Sequence, residues 1–158
     1  MTPLASRGAD TTPRVLARGA TAGLAGTAVM TAFQLLVEMP LTGRKESYAP
    51  ANFASRVLRV KPKSKPRRRT LNYAAHIGIG VAWGATHGLV VHKGLRGQRA
   101  VLAVFAGIYT GDGLLNTALG LYEPWKWSAR DWATDLGEKF ILAEATGLIY
   151  ERLEPKPD

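Results

Sequence analysis

The chain has 158 residues, which is enough for one domain with its own core. Its 21 Lys and Arg residues against 12 Asp and Glu residues give a net charge of +9, and this balance favours nucleic acid, an anionic membrane or an acidic protein as a partner. The chain has no cysteine, which excludes a disulfide framework, a thiolate metal site and a cysteine nucleophile.

The distribution of charge predicts an all-α integral membrane protein. Residues 19–37 and 70–92 carry no charge, and residues 100–122 carry only Asp112. Each stretch approaches or exceeds the roughly 20 residues that a transmembrane helix needs. A soluble helix would carry a charged stripe with helical periodicity, and these stretches have none. Gly, Ala and Thr account for the low mean hydropathy of −0.05, and these small residues let membrane helices approach closely.

We therefore predict a four-helix bundle in the membrane, formed by a single domain over residues 14–152. Residues 1–13 are expected to be a flexible tail without the pattern of a signal peptide, and residues 153–158 a second tail. The predicted spans are residues 15–39, 71–92, 99–121 and 130–151. The fourth span is the weakest because its first half contains several charged residues.

A basic loop is predicted over residues 40–70, between the first two spans. Within it, "PANFASRVLRV" could form a short interfacial helix with Phe53, Val57 and Val60 on one face, lying on anionic lipid. The loop ends in "KPKSKPRRR", and the last three of these residues are Arg67, Arg68 and Arg69. We expect this run to be solvated and to bind anionic lipid rather than nucleic acid.

The distribution of Lys and Arg also predicts the orientation and the location of the chain. The basic loop is expected in the cytoplasm and both termini outside, although three arginines near the N-terminus oppose this orientation. The expected location is the bacterial cytoplasmic (inner) membrane.

Glycines in three of the predicted spans have the spacing of helix-packing motifs. A glycine at every fourth position forms a ridge along which another helix can pack closely. The glycines with this spacing are Gly19, Gly23, Gly80, Gly84, Gly88, Gly107 and Gly111.

Polar residues of the four spans fall in the same half of the membrane, within roughly three helical turns of the basic loop. They are Glu38, His76, Asp112, Asn116, Asp135 and Glu138. A hydrogen-bonded network, a proton or ion pathway and a metal site would each explain this cluster. The metal-ligand candidates are His76, Asp112 and Glu138, but no Glu-x-x-His or His-x-x-x-His pair is present. His87 lies almost three turns beyond His76 and is expected to face nearly the same way.

The third loop, "YEPWKWSARDW", contains Trp125, Trp127 and Trp132, which are typical of the headgroup level or of a contact with a partner. The sequence has no nucleophile elbow and no pattern of a catalytic triad. We therefore expect neither an enzymatic activity nor a cofactor, apart from a divalent metal if the metal hypothesis holds.

The stretches "VEMPLTGR" and "ALGLYEPWKWSARDWATDLGEKFILAEATGLIYERL" resemble small bacterial inner-membrane proteins of the YagU-like kind. The order of features is similar: a first helix that ends in an acidic residue and proline, a second with histidines, a third rich in glycine and alanine, and a last one entered through acidic residues. The resemblance implies a multi-pass inner-membrane protein. It also implies a histidine near position 138, where this chain has Glu138, and this difference weakens the metal hypothesis.

Two functions are compatible with these patterns. The first is an accessory or assembly subunit that holds a larger membrane protein through its glycine faces, its tryptophan loop and its basic loop. The alternative is a proton- or metal-handling membrane protein that uses the intramembrane histidine and carboxylates.

Overall fold

The computed structural model describes residues 11–155, and all regular structure within that range is helical. The predicted all-α class is thereby confirmed. The five helices are α1 (Thr12–Thr42), α2 (Ala49–Val57), α3 (Lys65–His92), α4 (Gln98–Ala118) and α5 (Ala129–Leu153). A short 3₁₀ turn, Pro124–Lys126, precedes α5. The outer parts of the two predicted tails, residues 1–10 and 156–158, lie outside the described residues.

Helices α1, α3 and α4 are long and apolar enough to cross a membrane. Helix α5 has 25 residues and is therefore long enough. Within the described chain, however, it is not among the helices apolar enough to count as a span. Three of the four predicted spans thus have the length and composition of a membrane crossing, and the fourth stays a prediction.

Helix α3 begins at Lys65, so the prediction of a loop as far as residue 70 was wrong at its end. Ser64 caps the helix by accepting a hydrogen bond from the backbone N–H of Arg67, and Pro66 lies in the first turn, where proline favours a helix start. Arg68 and Arg69 therefore lie on a helix. Their guanidinium groups lie over the rings of Tyr48 and Tyr73.

The short helix predicted in the basic loop is present as α2, and it packs against α3. Its buried residues are Ala51 and Ala54, whereas Val57 and Val60 are exposed. Phe53 of the predicted apolar face is half-buried, so that face packs on the protein only in part. Residue Val60 also lies beyond the end of the helix, after Leu58.

Helices α1 and α3 cross at a glycine interface in which the two backbones touch. A Cβ atom added to Gly84 would overlap the carbonyl oxygen of Gly19 and lie 2.5 Å from the Cα atom of Gly23. Gly80 faces Thr27 in the same interface. Further along the interface, Gly88 approaches the Val15 carbonyl oxygen.

The other two glycines with this spacing, Gly107 and Gly111, have a looser environment. A Cβ added to either would lie 3.5 Å or more from the ring of Trp83, which is an ordinary van der Waals contact.

The remaining helix contacts place the core away from the loop between α1 and α3. Helix α5 packs against α1 and α4, and α4 also packs against α3. One core cluster consists of Met30, Val101, Val104, Ile108, Leu142 and Ala143, with Trp83 packed against it. A second cluster contains Ala22, Val91, Ala100 and Tyr150. Between these clusters and the loop, the helices leave an open space.

We expect Asn72→Ala to release α2 from α3. The Asn72 side chain is buried, accepts a hydrogen bond from the backbone N–H of Ala51 at 3.0 Å and donates one to the carbonyl oxygen of Ser47 at 2.9 Å. Its loss leaves both backbone groups without that partner, at a cost of about 1–3 kcal/mol. Hydrogen exchange measured by mass spectrometry should become faster in residues 47–57. In the control Asn52→Ala, which removes only an exposed bond to Arg68, exchange should change little. Equal rates in both variants would contradict this role.

Candidate cation-binding cavity

A cavity of about 710 Å³ lies between α1, α3, α4 and α5, and the segment after α1 lines it as well. This volume lies in the range of small-molecule sites, roughly 300–1,000 Å³. On α3 the lining runs from Asn72 to Trp83, a distance of about 16 Å at 1.5 Å per residue.

The structure brings all six residues of the predicted polar cluster to the wall of this cavity. They are Glu38, His76, Asp112, Asn116, Asp135 and Glu138. Their positions in the sequence predict a common depth in one half of the helices, and in the structure these residues also enclose a space.

The first charged group of the cavity is centred on the Lys139 ammonium. Its Nζ lies 2.8 Å from Asp112 Oδ2 and also contacts the carboxylate of Asp135, one turn earlier on α5. The buried Asn116 amide donates to Asp112 Oδ1 at 2.8 Å. One ammonium is therefore shared by two carboxylates that come from different helices.

Tyr122 lies beside this group, just after the end of α4, and also lines the cavity. Burial raises the pKa of its phenol, and the carboxylates of Asp112 and Asp135 raise that pKa further. The phenol is therefore neutral, and it donates a hydrogen bond to the Asp112 carboxylate.

The second charged group is centred on the Arg44 guanidinium. Its Nη1 lies 3.3 Å from the buried Glu38 Oε1 and 3.9 Å from Glu138 Oε1. The hydroxyl of Thr42 also donates to Glu38, at 2.8 Å.

The last part of α1 is a π-helical segment over Gln34–Glu38, a feature frequent at functional sites. Gly43 follows α1 with φ 66°, a left-handed conformation that glycine adopts without strain. The chain turns at this glycine, and the Arg44 side chain therefore donates a hydrogen bond to Glu38.

The histidines do not join the carboxylates in a metal site. His76 Nε2 is 3.0 Å from Thr31 Oγ1, deeper in the cavity. Asp112 and Glu138 are each paired with a cation of the chain, as described above. Among residues 11–155 no group of three or more His, Asp or Glu side chains could hold a metal ion. The set His76, Asp112 and Glu138 is therefore not assembled as metal ligands.

His87, which its spacing places on nearly the same face of α3 as His76, does not line the cavity. Its ring is fully buried against Tyr150, with 5.3 Å between the ring centroids.

Arg44 and Lys139 were not predicted as site residues. In the sequence Lys139 is one of the charges that weaken the fourth span, and Arg44 is one of the charges of the loop. The available signals were the spacing of Asp135 and Lys139, which places them on one face of a helix, and the position of Arg44 directly after a glycine that ends α1.

The three tryptophans of the predicted interface separate in the structure. Trp127 lines the cavity and packs against Tyr122 and Trp132, with centroid distances of 5.3 Å and 4.9 Å. Trp125 has an exposed fraction of 70% and is available for contacts outside the chain. Arg67 is exposed as well.

The cavity has the opposite charge to the chain as a whole. Among the described residues 11–155, six of the ten acidic residues line it, but only three of the nineteen Lys and Arg residues. The acidic residues are Glu38, Glu46, Asp112, Asp131, Asp135 and Glu138, and the basic ones are Arg44, Lys45 and Lys139. A negative cavity in a basic protein attracts cations.

Comparison of the chain with protein-family models, curated proteins and solved structures finds no match.

Proposed function

We propose that this protein is a multi-pass membrane protein that binds a small cation in the carboxylate-lined cavity. One observation carries the proposal: two cationic side chains, Arg44 and Lys139, are each shared by two carboxylates. The four carboxylates therefore exceed their cations by two formal charges.

Uncompensated charge is costly at such a place. A buried or intramembrane carboxylate costs several kcal/mol unless a partner, a proton or water compensates it. A cationic ligand would supply the missing positive charge, and in its absence protons would do so. Binding of the cation is therefore expected to release protons, which retains the proton-handling part of the predicted alternative. We do not propose a metal, because Lys139 and Arg44 take the positions between the carboxylates.

We also propose that α5 crosses the membrane as the fourth helix of a bundle. The charged residues of its first half that would oppose insertion, Asp135, Glu138 and Lys139, line the cavity and have partners there. Intramembrane charges in general face the interior of a bundle and pair with one another. The bacterial cytoplasmic membrane, with the basic loop inside, remains the proposed location.

An accessory role is the second proposal, and it has lost part of its support. The glycine faces of α1 and α3, which were expected to hold a larger membrane protein, pack against each other within the chain. The exposed Trp125 remains as an anchor for a partner. Mass spectrometry of the gently extracted protein should find a stoichiometric partner that Trp125→Ala releases, and extraction as a single chain would contradict this role.

Cation binding can be tested by tryptophan fluorescence, because Trp83 and Trp127 line the cavity. We expect tetramethylammonium to give a saturable change in fluorescence, and acetate to give none. Asp112→Asn removes one charge with little change of shape and should weaken binding about tenfold or more, since an interaction with a charged group contributes about 1.5–3 kcal/mol.

Glu144→Gln is the matched control for this experiment. Glu144 lies on α5 but outside the cavity, and it accepts a hydrogen bond from Gln98 at the surface. The control should bind tetramethylammonium as the wild type does. Absence of saturable binding, or equal affinities of the two variants, would overturn the proposal.

A further inference from the structure

We infer that the cation is amphiphilic, with a cationic head at the charged rim of the cavity and an apolar body in its floor. This inference rests on the proposed function and specifies the chemical class of its ligand. It is carried by the change of polarity along the cavity.

The rim and the floor are made from different parts of the same helices. At the rim lie the two charged groups around Arg44 and Lys139. Further from the loop, side chains of the first core cluster and Trp83, which packs against it, form an apolar wall that is interrupted by Thr27, Thr31 and His76. These floor residues are Met30, Trp83, Ile108 and Leu142. With about 16 Å between the levels of Asn72 and Trp83, a ligand with only a charged head would leave the apolar part of the cavity unfilled.

The rim also has the surfaces that an alkylammonium head prefers. Tyr73, Tyr122 and Trp127 line the cavity, and aromatic faces attract organic cations within roughly 6 Å. The chain itself provides an example of such a contact. The Lys139 ammonium lies 5.7 Å from the ring centroids of both Tyr109 and Tyr122. An organic ammonium ion therefore finds carboxylates and aromatic faces within the same rim.

The test is a series of cations with one head and a growing tail: tetramethylammonium, butyltrimethylammonium and hexyltrimethylammonium. Binding is measured to the full chain in nanodiscs, with empty nanodiscs as the blank for partitioning into lipid. We expect the affinity to rise about threefold to fourfold for each methylene that enters the floor, the value for burial of a CH₂ group.

A variant that fills the floor tests whether the tail of the ligand binds there. In Gly111→Leu the new side chain starts 3.7 Å from the Trp83 ring, with no closer atom to clash with, and it takes up space in the cavity. The ratio of the hexyl to the methyl affinity should fall towards one. The control Gly113→Leu adds the same side chain to the same helix at a position with open space around it, outside the cavity, and should keep the wild-type ratio.

The outcomes separate the two proposals. Equal affinities along the series, together with loss of binding in Asp112→Asn, would overturn the amphiphilic ligand and leave cation binding in place. A ratio that falls equally in both leucine variants would also overturn it. If none of the cations binds, both proposals fail.

Discussion

Gly84→Ala should destabilise the protein strongly, whereas Gly78→Ala on the same helix should not. The methyl group added at Gly84 would overlap the backbone of Gly19 and Gly23, and no flexible side chain stands there to move aside. Helices α1 and α3 would have to separate along their interface. Overpacking of this kind costs about 1–3 kcal/mol, and more when the backbone has to shift.

Gly78 provides a matched control because a Cβ atom there meets nothing within 4 Å. Alanine is the better helix former by about 1 kcal/mol in solution, so Gly78→Ala should be neutral or stabilising. The measurement is thermal unfolding of both variants in the same detergent. Similar midpoints for the two variants would show that the glycine contact between α1 and α3 contributes little.

Because these glycines hold α1 against α3, a glycine variant cannot test whether the chain binds a partner. If Gly84→Leu releases a bound protein, loss of the chain's own fold is sufficient to explain it. Trp125→Ala changes an exposed side chain and leaves the glycine interface intact. It is therefore the variant that tests the accessory role.

The helices and the polar cluster could be predicted because each depends on a repeated pattern. Uncharged length predicts α1, α3 and α4, and helical rise places Glu38, Asp112 and Asp135 at one depth. The start of α3 was misplaced because its signal is local. Ser64 and Pro66 specify a helix start, but the run of lysines and arginines around them is typical of a solvated loop.

Other features of the site depend on how the helices pack against one another, which spacing along a single helix does not determine. The spacing of His76 and His87 places them on nearly the same face of α3, but about 16 Å apart along its axis. One therefore lines the cavity and the other lies in the core. The pairing of Lys139 with Asp112 joins α5 to α4, and neither helix alone predicts it. An inward-facing cation of the chain was the missing element, since the predicted explanations of the cluster were a hydrogen-bonded network, a proton or ion pathway and a metal site.

Lys139→Gln should lower stability and raise the affinity for cations at the same time. The Lys139 side chain is only 12% exposed and has a carboxylate on either side. Removing one partner of a buried ion pair costs about 3–5 kcal/mol, because the remaining charges lose their compensation. The added variant Asp135→Asn should recover part of this loss. Lys126→Gln, which removes an exposed pair with Glu123, should change stability little.

The opposite effects on stability and binding follow from competition for the same carboxylates. In the wild type an external cation has to share Asp112 and Asp135 with the Lys139 ammonium, whereas in Lys139→Gln it meets them unpaired. Because a ligand that binds the folded state stabilises it more as its affinity rises, tetramethylammonium should raise the unfolding midpoint of Lys139→Gln by more than that of the wild type. If Lys139 only stabilises the packing of the helices, the variant will be unstable, and the added cation will not raise its unfolding midpoint by more than that of the wild type. A stronger response, lost again in the double variant with Asp135→Asn, would identify Lys139 as an internal substitute for the ligand.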